Sequence, residues 1–159
     1  MSGAAARDIR KFIYDRFRET ARAPVVEEIM QRFTLRRREV VDLLRGLEAA
    51  RQLALVPTTE RILMAHPFSA ITTPFRVEAR GGRTFFANCA WDAIAFHVLL
   101  EEPIRIDSYC HHCGETIELR LADDAVQSAR PASTIVYLAL PAAKWWENIV
   151  LACANTRAQ

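Results

Sequence analysis

Four cysteines, Cys89, Cys110, Cys113 and Cys153, occupy the second half of this 159-residue chain, and their neighbours decide what each could do. Cys89 stands in Asn88-Cys89-Ala90-Trp91-Asp92, where a stretch reading as a strand hands over to one reading as a helix. A thiol at a helix start meets unpaired backbone amides and the positive end of the helix dipole, both of which favour thiolate. A carboxyl three residues on shares its face, so a soft nucleophile and a proton source would stand side by side. By spacing alone, the same residues also suit a small buried hydrophobe and a first-turn dipole partner. Tyr109-Cys110-His111-His112-Cys113-Gly114 reads like half of a zinc ribbon, two thiols on a tight turn that would hold one face of a tetrahedral ion. Completing it needs Cys89, Cys153 or a histidine from His66, His97, His111 and His112. Cys110 and Cys113 are therefore candidate structural zinc ligands or plain structural thiols. Cys153 ends an aromatic-led segment, Trp145 to Cys153, and with Cys89 could form a dithiolate pincer. Thiolates select soft, thiophilic ions over magnesium or calcium.

The elements that would position these residues follow from periodicity. Ile9, Phe12, Ile13 and Phe17 mark an amphipathic helix over residues 5–20. A second helix is expected to begin after Pro24, through Val25, Val26, Ile29 and Met30, and to end near Phe33. Thr34 reads as the N-cap of a third, whose apolar face is Val40, Val41, Leu43, Leu44 and Leu47. Residues 53–56 and 61–64 flank Pro57-Thr58-Thr59-Glu60 as a short hairpin, so three helices and a hairpin give a winged-helix plan. Residues 65–74, with Pro67 and Pro74, have no helical period and read as a linker. Residues 75–79 and 84–87 alternate as strands about Gly81-Gly82, and a helix runs from Ala90 to Leu100. Further strands are expected at 104–106, 116–121 and 134–140, and a last helix from Ala142 to Cys153.

With 51% hydrophobic and 25% charged residues the chain is a globular protein that can bury a real core. A net charge of +2 does not demand nucleic acid. Arg36-Arg37-Arg38 stands where a recognition helix would begin, but Glu39, Asp42 and Glu48 follow on the same helix and would face a phosphate backbone unfavourably, so nucleic-acid binding is not expected. The sequence offers neither a membrane span nor a signal peptide, and a cytoplasmic location with reduced thiols is expected. A nucleotide-binding glycine loop, a G-x-S-x-G elbow and an H-E-x-x-H helix are all missing.

The order of these features resembles the alkylmercury (organomercurial) lyase family. That family has a C-A-x-D motif after a strand, a second cysteine in a turn, a strand opening on Pro-Ala and ending in Leu-Pro, and a third cysteine near a helix. The counterparts are Cys89-Ala90-Trp91-Asp92, Cys110, Pro131-Ala132 through Leu140-Pro141, and Cys153. The N-terminal helices resemble the winged-helix-like domain preceding the family core, so the likeness covers nearly the whole chain. It implies an α+β protein: a winged-helix-like three-helix lobe (1–64), a linker (65–74) and a mixed β-sheet lobe with flanking helices (75–159) carrying the cysteines. It also implies a mercury-resistance lyase that cleaves the carbon–mercury bond of methyl- or phenylmercury by protonolysis, giving a hydrocarbon and Hg²⁺ with no cofactor. Cys89 and Cys153 would bind mercury, Asp92 would relay the proton and Cys110 would be structural. A thiol reductant and a mercuric reductase receiving Hg²⁺ are the implied partners. The family continues past its last cysteine into an aromatic strand, whereas this chain stops at Gln159, from which slower cleavage is expected. The rival reading is a thiol-based zinc- or mercury-binding or sensing protein, with DNA contacts through Arg36 to Arg38 and no turnover.

Overall fold

Ile9, Ile13 and Phe17 recur at helical spacing and are each at most 1% exposed, so the first helix, α1 (Gly3–Thr20), forms around the predicted stripe. The computed structural model describes residues 3–159, which fall into two units, one ending at His66 and one beginning at Pro67. In the first, α2 (Val26–Phe33) and α3 (Arg37–Ala49) follow α1, and the antiparallel pair β1 (Ala54–Leu55) and β2 (Ile62–Ala65) comes next. Val26, Ile29, Val40, Leu44 and Leu47 are buried, and α3 packs on both α1 and α2. Burying each such side chain contributes about 1.5–3 kcal/mol.

Thr34 does not cap the third helix. It closes α2 in the left-handed conformation (φ 54°, ψ 43°), and α3 starts after Arg36. The cause is a glutamate three residues into each helix: Glu28 accepts from the Val25 amide and Glu39 from the Arg36 amide, both at 2.9 Å. A carboxylate there satisfies an orphan donor and complements the dipole, so a hydroxyl cap is superfluous. The Arg36 side chain, followed by its backbone amide, holds the Glu39 carboxyl down at about 2. Arg36 pairs with Glu39, Arg37 with Glu27 and Glu60, and Arg38 lies 4.0 Å from Asp42. The arginine triplet thus has carboxylate partners inside its own unit.

The second unit is built on a sheet ordered β5-β4-β6-β7-β8. Its strands are β4 (Arg76–Glu78), β5 (Thr84–Phe86), β6 (Ile104–Tyr109), β7 (Thr116–Ala122) and β8 (Ala125–Arg130), and β3 (Phe68–Ser69) precedes them. The mixed sheet expected from sequence is corrected here, because every pairing is antiparallel. β5 and β6 do run in the same direction, joined by the crossover helix α4 (Ala90–Leu100), but β4 lies between them and no parallel pair forms. Val77, Ile106, Ile117 and Leu119 point to the face on which α4 packs. On the other face Arg76 and Arg105 share Asp107 and Glu78.

The expected strand over 134–140 is shorter. β9 (Val136–Leu138) pairs antiparallel with β10 (Thr156–Ala158), and between them lie a 3₁₀ segment (Ala142–Glu147) and α5 (Ile149–Ala154) rather than one continuous helix.

Candidate functional site

The chain enters the site through Ala87, fixed on both sides: its amide donates to Phe75 O at 2.9 Å and its carbonyl accepts from Thr73 Oγ1 at 2.6 Å. Beneath it Phe68, Phe85 and Phe96 pack as a trio with ring centroids 4.9–5.7 Å apart, and Phe96 is wholly buried. Cys89 then leaves the strand in extended conformation (φ −159°, ψ 178°) as the N-cap of α4, with its Sγ accepting from the Asp92 amide at 3.5 Å. A sulfur at this position takes up one of the orphan donors of the first turn. The Asp92 side chain, one turn into the helix, accepts at Oδ2 from Asn88 Nδ2 at 3.0 Å, and the same amide group donates to Pro67 O at 3.1 Å. Asn88, Cys89 and Asp92 are all buried.

Cys153 reaches the same place from the far end of the sequence. Asn148 caps α5 by accepting from the Leu151 amide at 3.0 Å, and Thr156 Oγ1 donates to Ala152 O at 3.0 Å where the helix turns into β10. α4 packs against β10, which brings the two helical segments together. The Cys153 thiol donates to the Cys89 sulfur; that bond first, then burial, then the charges of Cys89 and Asp92, push it well above the ordinary thiol range. The neutral thiol is therefore the resident form, and Cys153 keeps a proton beside Asp92.

Cys110 and Cys113 lie elsewhere in the unit, on the turn joining β6 to β7. The turn is closed by the Gly114 amide on Cys110 O and the Cys110 amide on Glu115 O, both at 2.8 Å, with Gly114 at φ +77°. Backbone amides of Cys113 and His112 donate to the Cys110 sulfur, as does the Cys113 thiol, and together they lower the Cys110 pKa. Cys110 is buried and Cys113 exposed. His111 stacks on Phe75 and Tyr109. His97, one of the histidines considered for a zinc set, has both ring nitrogens engaged: Nδ1 lies 2.8 Å from Glu102 O and Nε2 accepts from the Asp124 amide at 3.2 Å. Its ring closes the end of α4 and does not face the sulfurs of this turn as a ligand. Among the described residues no third His, Cys, Asp or Glu donor gathers with Cys110 and Cys113, so a tetrahedral zinc set is not assembled there.

Sequence reasoning about chemistry missed Asn88. Its contribution was visible only as spacing, since an amide four residues before a carboxyl at a helix start can reach it once both turn to one side.

Two buried thiols and one buried carboxyl at a helix start, carried by an α+β frame, are the features of a cysteine site suited to soft metals. The alkylmercury lyase family model matches residues 68–158, and the chain belongs to that family. Among its relatives are the alkylmercury lyase of Staphylococcus epidermidis, 29% identical over 79 residues (50% of this chain, 36% of the relative), and that of Pseudomonas putida, 37% identical over 60 residues (38% and 28%). The matched part spans about a third of the length of these curated relatives. A crystal structure described as the mercury-bound form of MerB2 has the same fold, with a TM-score of 0.76 over 99% of this chain and 74% of that one, at 22% identity. No helix among the described residues is long and apolar enough to cross a membrane.

Proposed function

We propose that this protein is an organomercurial lyase that cleaves the carbon–mercury bond of small organomercurials by protonolysis, with Cys89, Asp92 and Cys153 as its working groups. The observation that carries the reading is the convergence of those three side chains, from the two ends of the unit, in one buried place.

The chemistry balances on these residues. R–Hg⁺ replaces the proton of one thiol, giving a sulfur–mercury–carbon linkage. The second thiol bonds mercury and passes its proton to Asp92, which delivers it to the carbon as the carbon–mercury bond breaks. Two thiols and R–Hg⁺ thus give S–Hg–S, the hydrocarbon RH and one proton, with no change of oxidation state at mercury and no resident cofactor. Cys153, held as a thiol, carries the proton the reaction consumes. Asn88 keeps the Asp92 carboxyl aimed toward the sulfurs. General-acid assistance of this kind is worth about 10²–10⁴-fold.

The remaining readings are of one piece with this. The unit ending at His66 is a winged-helix-like lobe and the unit from Pro67 the lyase core; the lobe has a structural role, and the internal pairing of Arg36, Arg37 and Arg38 argues against nucleic acid. The location is cytoplasmic, external thiol releases the Hg²⁺ product, and a mercuric reductase consumes it, which together give mercury resistance.

The test is hydrocarbon release. Reduced protein with phenylmercury and excess thiol is expected to form benzene, and Cys89→Ser none. Tight mercury binding by wild type with no benzene would overturn the lyase reading in favour of a thiol-based metal-binding protein.

A further inference from the structure

The Cys110–Cys113 turn takes no part in the chemistry above, yet it is prepared for a metal in three independent ways. Two backbone amides of the turn and the Cys113 thiol reach the Cys110 sulfur, so the two sulfurs lie close together on one turn. The backbone of the loop is held in shape by two backbone bonds and by a glycine at φ +77°, where any side chain would be strained. Cys113 is exposed, so the pair opens to solvent, whereas Cys89 and Cys153 are each only 5% exposed.

The donor count then selects the ion. Zinc in a structural site takes four ligands, and here two sulfurs stand without a third donor among the described residues. His111 is committed to stacking between Phe75 and Tyr109. A cation satisfied by two thiolates is soft and accepts linear coordination, as Hg²⁺ does.

We propose that Cys110 and Cys113 form a second, solvent-facing thiol pair that binds Hg²⁺ in two-coordinate form by exchange with small-thiol complexes. The exchange conserves everything: Hg(SR)₂ plus two protein thiols gives one protein-bound S–Hg–S and two RSH, with no redox step. Its role as a station for mercury entering or leaving the molecule rests on the lyase reading; the binding itself does not.

The experiment loads reduced Cys89→Ser/Cys153→Ser protein with Hg²⁺ supplied as its bis-cysteine complex. Mercury per chain is measured after gel filtration, together with sulfur-to-mercury charge-transfer absorption. The expected result is one mercury per chain, falling to none when Cys113→Ala is added. Because the double variant could fail to fold, the same loading is done on the otherwise unaltered chain: two mercury atoms per chain, falling to one with the exposed Cys113→Ala. Equal mercury content with and without Cys113 in either background overturns the proposal. So does one ion held between two chains with four sulfurs, which would make the turn half of a dimeric site. Benzene formation by wild type with no mercury on the double variant would sink this inference and leave the lyase reading standing; the reverse pattern would do the opposite.

Discussion

Cys153 and Cys110 are both nearly buried, 5% and 8% exposed, yet their thiols are tuned in opposite directions. Cys153 is a donor: its hydrogen bond to Cys89, its burial and the nearby Asp92 carboxyl all favour the neutral thiol. Cys110 is an acceptor, served by two backbone amides and the Cys113 thiol, which favour the charged form. Burial pushes both thiols up, so it does not account for the opposite directions. What differs is whether the nearest dipoles and hydrogens point toward the sulfur or away from it. A thiol that keeps its proton can supply one to a reaction, whereas a sulfur whose pKa is lowered gives its proton up more readily to a metal. The two pairs in one unit are thus suited to different tasks.

The largest effect is expected at the buried pair. Cys153→Ser is expected to abolish hydrocarbon release from phenylmercury, and full activity would remove Cys153 from the mechanism. Next in size is the frame behind Cys89. Phe96→Ala should cost about 3–5 kcal/mol in denaturant unfolding, because a wholly buried ring in the aromatic trio leaves a cavity. A loss under about 1 kcal/mol would show that the trio does not hold the start of α4.

The contrast in protonation has its own signature. Because the folded state raises the Cys153 pKa above the ordinary 9.0, the stability linked to it is fully present below that value and is lost as pH rises past it toward the folded value. Unfolding free energy should therefore fall by up to about 1.4 kcal/mol per pH unit above pH 9, and Cys153→Ala should lose that slope. The same slope in both proteins would mean Cys153 is not held neutral. The smallest effect expected is at Asn88. Asn88→Ala removes a 3.0 Å bond to Asp92 and should slow benzene release about tenfold, the worth of one good hydrogen bond, while mercury capture stays unchanged. Parallel loss of capture and release would make Asn88 merely structural.

Much of the second unit was legible because its elements alternate or repeat cleanly. Residues 104–106 and 116–121 fall in strands, and Ala90–Leu100 is a helix that stops before Pro103 as the sequence suggests. β8 escaped notice since Ala125–Arg130 is an exposed edge strand without an apolar face; only Asp123-Asp124, both at positive φ, signals the hairpin. β10 was hidden because three residues after a short helix carry no period, and their strand character comes from pairing with Val136–Leu138. The antiparallel sheet could not be read from element order, because the position of β4 between β5 and β6 is a tertiary choice. At the site, the Cys89–Asp92 relation was local and readable from spacing. The partnership of Cys153 with Cys89 spans most of the unit, and no local pattern encodes it.

In the proposed reaction sulfur captures mercury and Asp92 delivers the proton. This division of labour is tested most directly by intact-mass measurement of Asp92→Ala after brief exposure to phenylmercury. The variant should retain the whole phenylmercury group on a cysteine of the buried pair and release benzene about 10²–10⁴-fold more slowly than wild type, which should carry bare mercury and have lost the hydrocarbon. Bare mercury and benzene from Asp92→Ala at the wild-type rate would contradict it.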